Sequence, residues 1–223
     1  LKLIDKKILN LRNRKKISIL VGGTGLYFKA LTNGLVNIPN IPIRFRTKIR
    51  SLHKKLGSKN FFSELVKLDP LVKNQIKSSD TQRCIRAYEV KLSTNKSIFN
   101  WYKNTQSNYE QEDFFKICLD FPRNELLNRI NLRAQEMIKN GAVSEVKKFI
   151  KLKVPKDKTA NKAIGISEVK EYLNKKIDIE QVIEKISIKT RQYAKRQSTW
   201  ARGNMQNWNK MNPTQLKNFL KKI

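Results

Sequence analysis

Apolar positions recur at helical spacing through most of this chain, and the places where that spacing fails divide it into elements. Leu3, Ile4, Ile8 and Leu11 share one face of a helical pattern over residues 1–16. Ile17, Ile19, Leu20 and Val21 then form a compact apolar run between a basic segment and a glycine turn, which predicts a buried strand of an α/β sheet. Leu26, Phe28, Ala30 and Leu31 return to helical spacing, with Gly34 placed to cap the helix C-terminus. Pro39 and Pro42 bias the next segment away from helix. Residues 44–104 are helical in period, with breaks near Gly57, at Asp69-Pro70 and at Ser78-Ser79, and are read as a small helical insertion.

A polar loop at 104–113 precedes a strand pattern at 114–121, after which Pro122 opens a helix that Gly141 ends. An amphipathic helix at 143–152, a loop and helix at 159–173, and a long helical pattern through 185–203 follow. A short last strand is expected at 205–208 and a closing helix at 213–222. The predicted fold class is α/β. Residues 1–41 form one part of the core, 42–112 an all-helical inserted domain, and 113–223 the continuation of the core.

Charge adds a partner to this outline. Lys and Arg number 48 against 18 Asp and Glu, a formal net charge of +30. Such an excess favours a polyanion, nucleic acid first, although a Lys-, Asn- and Ile-rich chain also reflects an A+T-rich coding sequence. Placement separates the two readings: no Asp or Glu occurs in 6–63 or in 185–223, and two long basic tracts suit an extended phosphate-contacting surface. Cys84 and Cys118 lie far apart in apolar contexts and read as ordinary core thiols. His53 is the only histidine and is expected to be solvated or RNA-facing, which excludes His-based triads and zinc sites. No signal peptide and no apolar run of membrane-spanning length is present, and the expectation is a cytoplasmic protein with no membrane partner.

Candidate chemistry sits at four places. Gly22, Gly23 and Gly25 can let main-chain N–H groups approach an anion closely, and Thr24 adds a hydroxyl; the turn alone would equally serve as a plain strand-to-helix connection. Asp80 is a good N-cap for the helix that follows, where Arg83 and Arg86 share a face that could meet phosphates or form salt bridges, Glu89 being a ready partner. Arg129 and Arg133 are one turn apart, so both suit a diphosphate or simply solvate an amphipathic helix. On the last long helix Lys185, Lys189, Gln192, Arg196 and Thr199 cluster, with Arg191, Lys195, Ser198 and Arg202 beside them. Ile183, Ile186, Tyr193, Trp200 and Ala201 face away, and Trp200 is read as a core anchor. No acid lies within this tract to neutralise the basic side locally, which favours RNA contact.

The strings that carry these residues resemble one family. VGGTGLYFKAL, DTQRCIRAYEV, TANKAIGISEVKEYL and IKTRQYAKRQSTWARG occur in the order seen in the tRNA dimethylallyltransferases, also called tRNA isopentenyltransferases. The resemblance implies a partial P-loop, nucleotide-kinase-like core with the helical domain inserted. It implies transfer of the dimethylallyl group of dimethylallyl diphosphate to N6 of the adenosine 3′ of the anticodon in tRNA, with Mg²⁺ assisting diphosphate departure. Thr24 and Arg133 would then be catalytic, and Gly22, Gly23 and Gly25 would bind substrate. Arg46, Asp80, Gln82, Arg83, Arg86, Lys162, Ile164, Gly165, Lys195, Arg196, Gln197, Thr199 and Arg202 would bind the anticodon stem-loop. No residue is assigned as a metal ligand, and a monomer is expected.

This chain departs from the family pattern at Thr81, where proline is usual, and at Ile166 and Ser167, where tyrosine and a basic or polar residue are usual. Nowhere does it contain G-x-x-x-x-G-K-[ST], and Asp5 does not match the position of the family's basic aspartate. It also begins without methionine inside a helical pattern. The expectation is therefore an N-terminally truncated transferase, inactive alone and marginally soluble. A non-catalytic RNA-binding module is the alternative, and a nucleotide kinase of related fold ranks third.

Overall fold

The protein is described by a computed structural model over residues 1–156 and 158–222. The chain divides into two compact units, Leu1–Ile19 with Leu26–Phe114, and Leu20–Gly25 with Phe115–Ile223. The expected core segment 1–41 is thus shared between the units, and the expected insertion 42–112 falls in the first together with the N-terminal helices.

In the first unit α1 (Lys2–Asn13) packs through Ile8, while Leu3 on the predicted apolar face is exposed. Polar contacts tie α1 to the 104–113 segment: Tyr109 donates to Asp5 at 3.0 Å, and Arg12 pairs with Asp113 at 2.6 Å. Helix α2 (Gly25–Thr32) ends before Gly34, whose φ of +85° is left-handed and whose Cα is closely approached by the Gln106 backbone carbonyl. Both features exclude a side chain there. Helix α3 (Ile43–Leu68) kinks at Gly57, φ +72°, where the broken helical period predicts it. Helices α4 (Thr81–Thr94) and α5 (Ile98–Tyr102) complete the unit, capped by the side chains of Asp80 and Ser97. Phe61, Leu65, Val72, Ala87 and Val90 are its fully buried centre.

The expected strand at 17–21 is not formed. These residues are irregular, and Ile17, Ile19, Leu20 and Val21 are all exposed, Val21 at 91%. A strand holds only when its N–H and C=O groups enter a ladder, and the only ladder among the described residues lies elsewhere. That ladder joins β1 (Ile117–Leu119) in parallel to β2 (Asn209–Met211), with Ile117 opposite Asn209 and Leu119 opposite Met211. The strand predicted at 114–121 is therefore shorter. The one predicted at 205–208 begins later, because Met205 is taken up as the C-cap of the preceding helix.

The rest of the second unit is helical: α6 (Arg123–Lys139), α7 (Ala142–Lys151), α8 (Ile166–Leu173), α9 (Ile179–Asn204) and α10 (Pro213–Leu220). Gly141, at φ +97°, makes the turn between α6 and α7 that a left-handed residue permits. Asp178 with Gln181 and Asn212 with Gln215 form reciprocal capping pairs at the starts of α9 and α10. Ala134, Val146, Val169, Val182 and Ile186 meet in one core between α6, α7, α8 and α9. The architecture is mostly helical with a small parallel sheet, an α/β arrangement. Among the described residues no helix is long and apolar enough to cross a membrane.

Candidate functional site

The glycine turn lies in the second unit, against the C-terminal half of α9. Gln197 donates its side-chain amide to the carbonyl oxygen of Gly23 at 2.8 Å. A Cβ at Gly23 would overlap that amide, and a Cβ at Gly25 would overlap the indole of Trp200. The left-handed glycines are Gly34, Gly57, Gly141 and Gly165, so a backbone conformation closed to other residues is not what requires glycine at 23 and 25. Close approach of a second segment requires them instead. Thr24 between them is exposed. Trp200 is half-buried on Gly25 and lies outside the apolar core of the unit, which corrects its expected role as a core anchor. No single-sequence signal pairs a tryptophan with a glycine about 175 residues away.

The charges of α9 divide along its length. Lys185 donates to Glu171 at 2.6 Å, and Lys189 pairs with Glu168 and donates to Ser167 at 3.2 Å. The expectation of an unneutralised basic side therefore fails for its first two lysines: their partners come from α8, not from within the tract. Glu168 is fully buried and also accepts from the backbone N–H of Gly165 at 2.9 Å and from the Ser167 hydroxyl at 3.0 Å. Burial pushes its carboxyl up, but the hydrogen bonds from Lys189, its own backbone, Ser167 and Gly165 outweigh that and hold its pKa below the ordinary glutamate value. The acid three residues beyond a helix-opening glycine is a capping signal that sequence reasoning passed over.

Further along α9, Lys195, Arg196 and Arg202 are exposed with no acidic partner among the described residues. Arg196 lies over the Tyr193 ring at 5.8 Å, and Tyr193 is 43% exposed rather than turned inward. Arg202 reaches Thr199 at 3.5 Å. In the same unit Arg133 is exposed on α6 without an acidic partner among the described residues, while Arg129 stacks over Phe121 at 4.5 Å. Lys162 is exposed in a short 3-10 turn, Ile164 packs on the core, and Gly165 is buried at φ +105°.

The candidates in the first unit are more engaged. Asp80 accepts from the Arg83 backbone N–H at 3.2 Å and pairs with its guanidinium at 2.9 Å, and Gln82 is exposed. Arg86 pairs with buried Glu89 at 3.5 Å, the salt-bridge alternative left open by the sequence, with Arg50 at 3.9 Å on the other carboxylate oxygen. Arg46 is half-buried, and its Nε has no hydrogen-bond partner among the described residues. His53 is half-buried and packs edge-on against Phe61 at 5.0 Å, so it is not freely solvated. Cys84 is buried as expected, with burial pushing its thiol up, and Cys118 is half-buried on β1. The structure thus brings together Gly23, Gly25 and Gln197, adds Trp200, and leaves Lys195, Arg196 and Arg202 exposed on the same stretch of α9.

Residues 1–204 match the family described as IPP transferase. The chain is 53% identical over 223 residues to the tRNA dimethylallyltransferase of Pelagibacter ubique, covering all of this chain and 71% of that protein. To the tRNA dimethylallyltransferase of Rickettsia massiliae it is 41% identical over 207 residues, covering 92% of this chain and 57% of that one. The solved tRNA isopentenylpyrophosphate transferase of Bacillus halodurans superimposes with a TM-score of 0.58 at 29% identity, over 95% of this chain and 65% of that one. A eukaryotic dimethylallyltransferase acting on tRNA gives 0.68 at 26% identity, over 89% of this chain and 50% of that one. The chain spans 71% of the first of these relatives and less of the others. Since the Pelagibacter match runs through the whole chain, it lends no support to the expectation that the chain is inactive.

Proposed function

Because the chain belongs to the IPP transferase family, we propose that it transfers the dimethylallyl group of dimethylallyl diphosphate to N6 of the adenosine 3′ of the anticodon in tRNA. The observation that supports this reading is the contact of the glycine turn with the second half of α9, which sets an exposed threonine against the stretch that carries Lys195, Arg196 and Arg202, exposed and without acidic partners among the described residues. A polyanionic RNA and a small diphosphate are the ligands that such a pair of features suits.

In this reading the adenine amine nitrogen attacks the allylic carbon, and the bond from that carbon to the diphosphate oxygen breaks. Its electron pair leaves with diphosphate, and N6 gives up a proton to a general base. Asp5 is not offered for that role, since it accepts from Tyr109. The Thr24 hydroxyl bonds the reacting amine or the diphosphate, the backbone of 22–25 lines the site, and Arg133 balances the diphosphate charge. The adenine must leave its stack to react, so the protein has to hold an opened anticodon loop. Lys195, Arg196 and Arg202 bind its phosphates, with Arg46, Gln82, Arg83, Arg86 and Lys162 as further contacts.

Among the described residues no three His, Cys, Asp or Glu side chains cluster so as to hold a metal ion. A Mg²⁺ ion, as the family resemblance implies, would supply charge stabilisation to the departing diphosphate, and no residue of this chain and no step is assigned to it. A monomer, a cytoplasmic location and the P-loop character of the core belong to the same proposal.

The test incubates the protein with an anticodon stem-loop RNA and dimethylallyl diphosphate and analyses the nucleosides by mass spectrometry. Prenylated adenosine is expected. Thr24→Ala should lower the transfer rate about a hundredfold, the scale of one lost donor to a developing charge, with RNA affinity nearly unchanged. Equal losses in rate and affinity would refute the role given to Thr24. RNA binding without any transfer would leave the non-catalytic RNA-binding module standing.

A further inference from the structure

Gln197 and Trp200 lie on one side of α9, and each meets a different glycine of the turn 22–25. The Gln197 amide holds the Gly23 carbonyl at 2.8 Å, and the Trp200 indole fills the space that a side chain at Gly25 would need. Neither residue belongs to the apolar core of the unit. Of their basic neighbours, at about 100° per residue, Lys195 and Arg202 project nearly opposite Gln197, whereas Arg196, one turn before Trp200, lies at the edge of the side that meets the turn. One side of this stretch therefore bears on the turn while the other presents exposed cations without acidic partners among the described residues.

We propose that Gln197 and Trp200 are positioning residues that join RNA docking to the geometry of the glycine turn. The inference rests on the transferase reading above. RNA phosphates that settle on Lys195, Arg196 and Arg202 fix the axial position and rotation of this part of α9. A hydrogen-bonded helix is stiff over two turns, so the opposite side moves with it. Gln197 passes that position to the Gly23 carbonyl and Trp200 passes it to the Cα of Gly25, with Thr24 held between them. Sub-ångström errors in a reacting geometry are costly to rate, so a turn set only when RNA is docked favours transfer to RNA over loss of the activated donor to water. Neither side chain need touch donor or adenine. Gln197, expected from its motif to bind RNA directly, acts on this view through the protein.

The experiment uses the full-length protein, an anticodon stem-loop RNA and dimethylallyl diphosphate, with three readouts: RNA affinity, kcat and KM for transfer, and amide hydrogen exchange in 22–25 with and without RNA. RNA should raise the protection of these amides in the unmodified protein. In Gln197→Leu that rise should disappear, and kcat should fall about tenfold while KM for RNA and RNA affinity stay within about twofold. Gly25→Ala should be harmful beside Trp200 and nearly neutral in a Trp200→Ala background, a non-additivity expected only of groups in contact. If Trp200→Ala does not fold, Gln197→Leu carries the test alone.

Equal gains of protection in the unmodified protein and in Gln197→Leu would overturn the inference, as would additive effects of Gly25→Ala and Trp200→Ala. Coupled protection without prenyl transfer would remove the transferase reading and leave the coupling. Transfer without coupling would do the reverse.

Discussion

Lys185 and Lys189, in the first half of α9, are held by carboxylates of α8, whereas Lys195, Arg196 and Arg202, in the second half, are exposed without an acidic partner among the described residues. The first half also carries Val182 and Ile186 into the core, and the second half carries Gln197 and Trp200 onto the glycine turn. Along the chain the two halves look alike, since both repeat basic residues at helical spacing. The difference lies in what another segment brings to each. A lysine beside a buried glutamate serves the fold, and an arginine with no such neighbour is available to a phosphate.

Three experiments would break or sharpen this contrast. The largest effect is expected from Ile186→Ala, which empties a site 2% exposed in the core of the second unit. It should cost about 3 kcal/mol in denaturant unfolding, the usual range for an aliphatic side chain cut to alanine in a core, while the salt dependence of RNA binding stays as before. A loss under about 1 kcal/mol would mean that the first half of α9 is not the structural half.

Next in size is the pair Lys195→Glu and Arg196→Glu. Together they should weaken stem-loop binding by roughly thirtyfold, about 2 kcal/mol, and flatten the slope of log affinity against log salt by roughly one to two units, with unfolding unchanged. Replacing Lys185 and Lys189 in the same way should leave that slope alone. An equal flattening from both pairs would erase the distinction between the halves.

The smallest effect is expected at Glu168. Its folded pKa lies below the ordinary glutamate value, so the unfolded chain takes up a proton first as the pH falls. The stability that its charge contributes is fully present above the ordinary glutamate pKa and is lost as the pH drops through the folded value. Glu168→Gln should cost about 1–2 kcal/mol at neutral pH, as for a weakened buried hydrogen-bond network, and the gap to the unmodified protein should close in acid. Curves that stay parallel down to strong acid would show that the ion pair with Lys189 contributes nothing.

Much of the fold was legible. Helical spacing, proline and capping residues located α1, α2, α4, α6, α7, α8 and α10, and the kink at Gly57, because these are short-range effects written into neighbouring residues. The strands were misjudged in proportion to their dependence on a partner. The apolar run 17–21 looks as good a strand as 114–121, yet it has no ladder partner among the described residues, and only the second contributes to a ladder, through Ile117–Leu119. At the candidate site the glycine turn and the basic helix were each visible as strings. Their contact was not, since Gly23 and Gln197 share no local pattern.

By itself the sequence determined the helical periods, the caps, the charge excess and the four motif strings that place the chain in its family, all of them properties of residues within a turn or two of one another. Only the tertiary structure decided which lysines are neutralised, which glycines are required by an approaching side chain, and which apolar run becomes a strand. Each of those outcomes depends on a group distant in the chain, and such a group acts only after packing has brought it within hydrogen-bond or van der Waals reach.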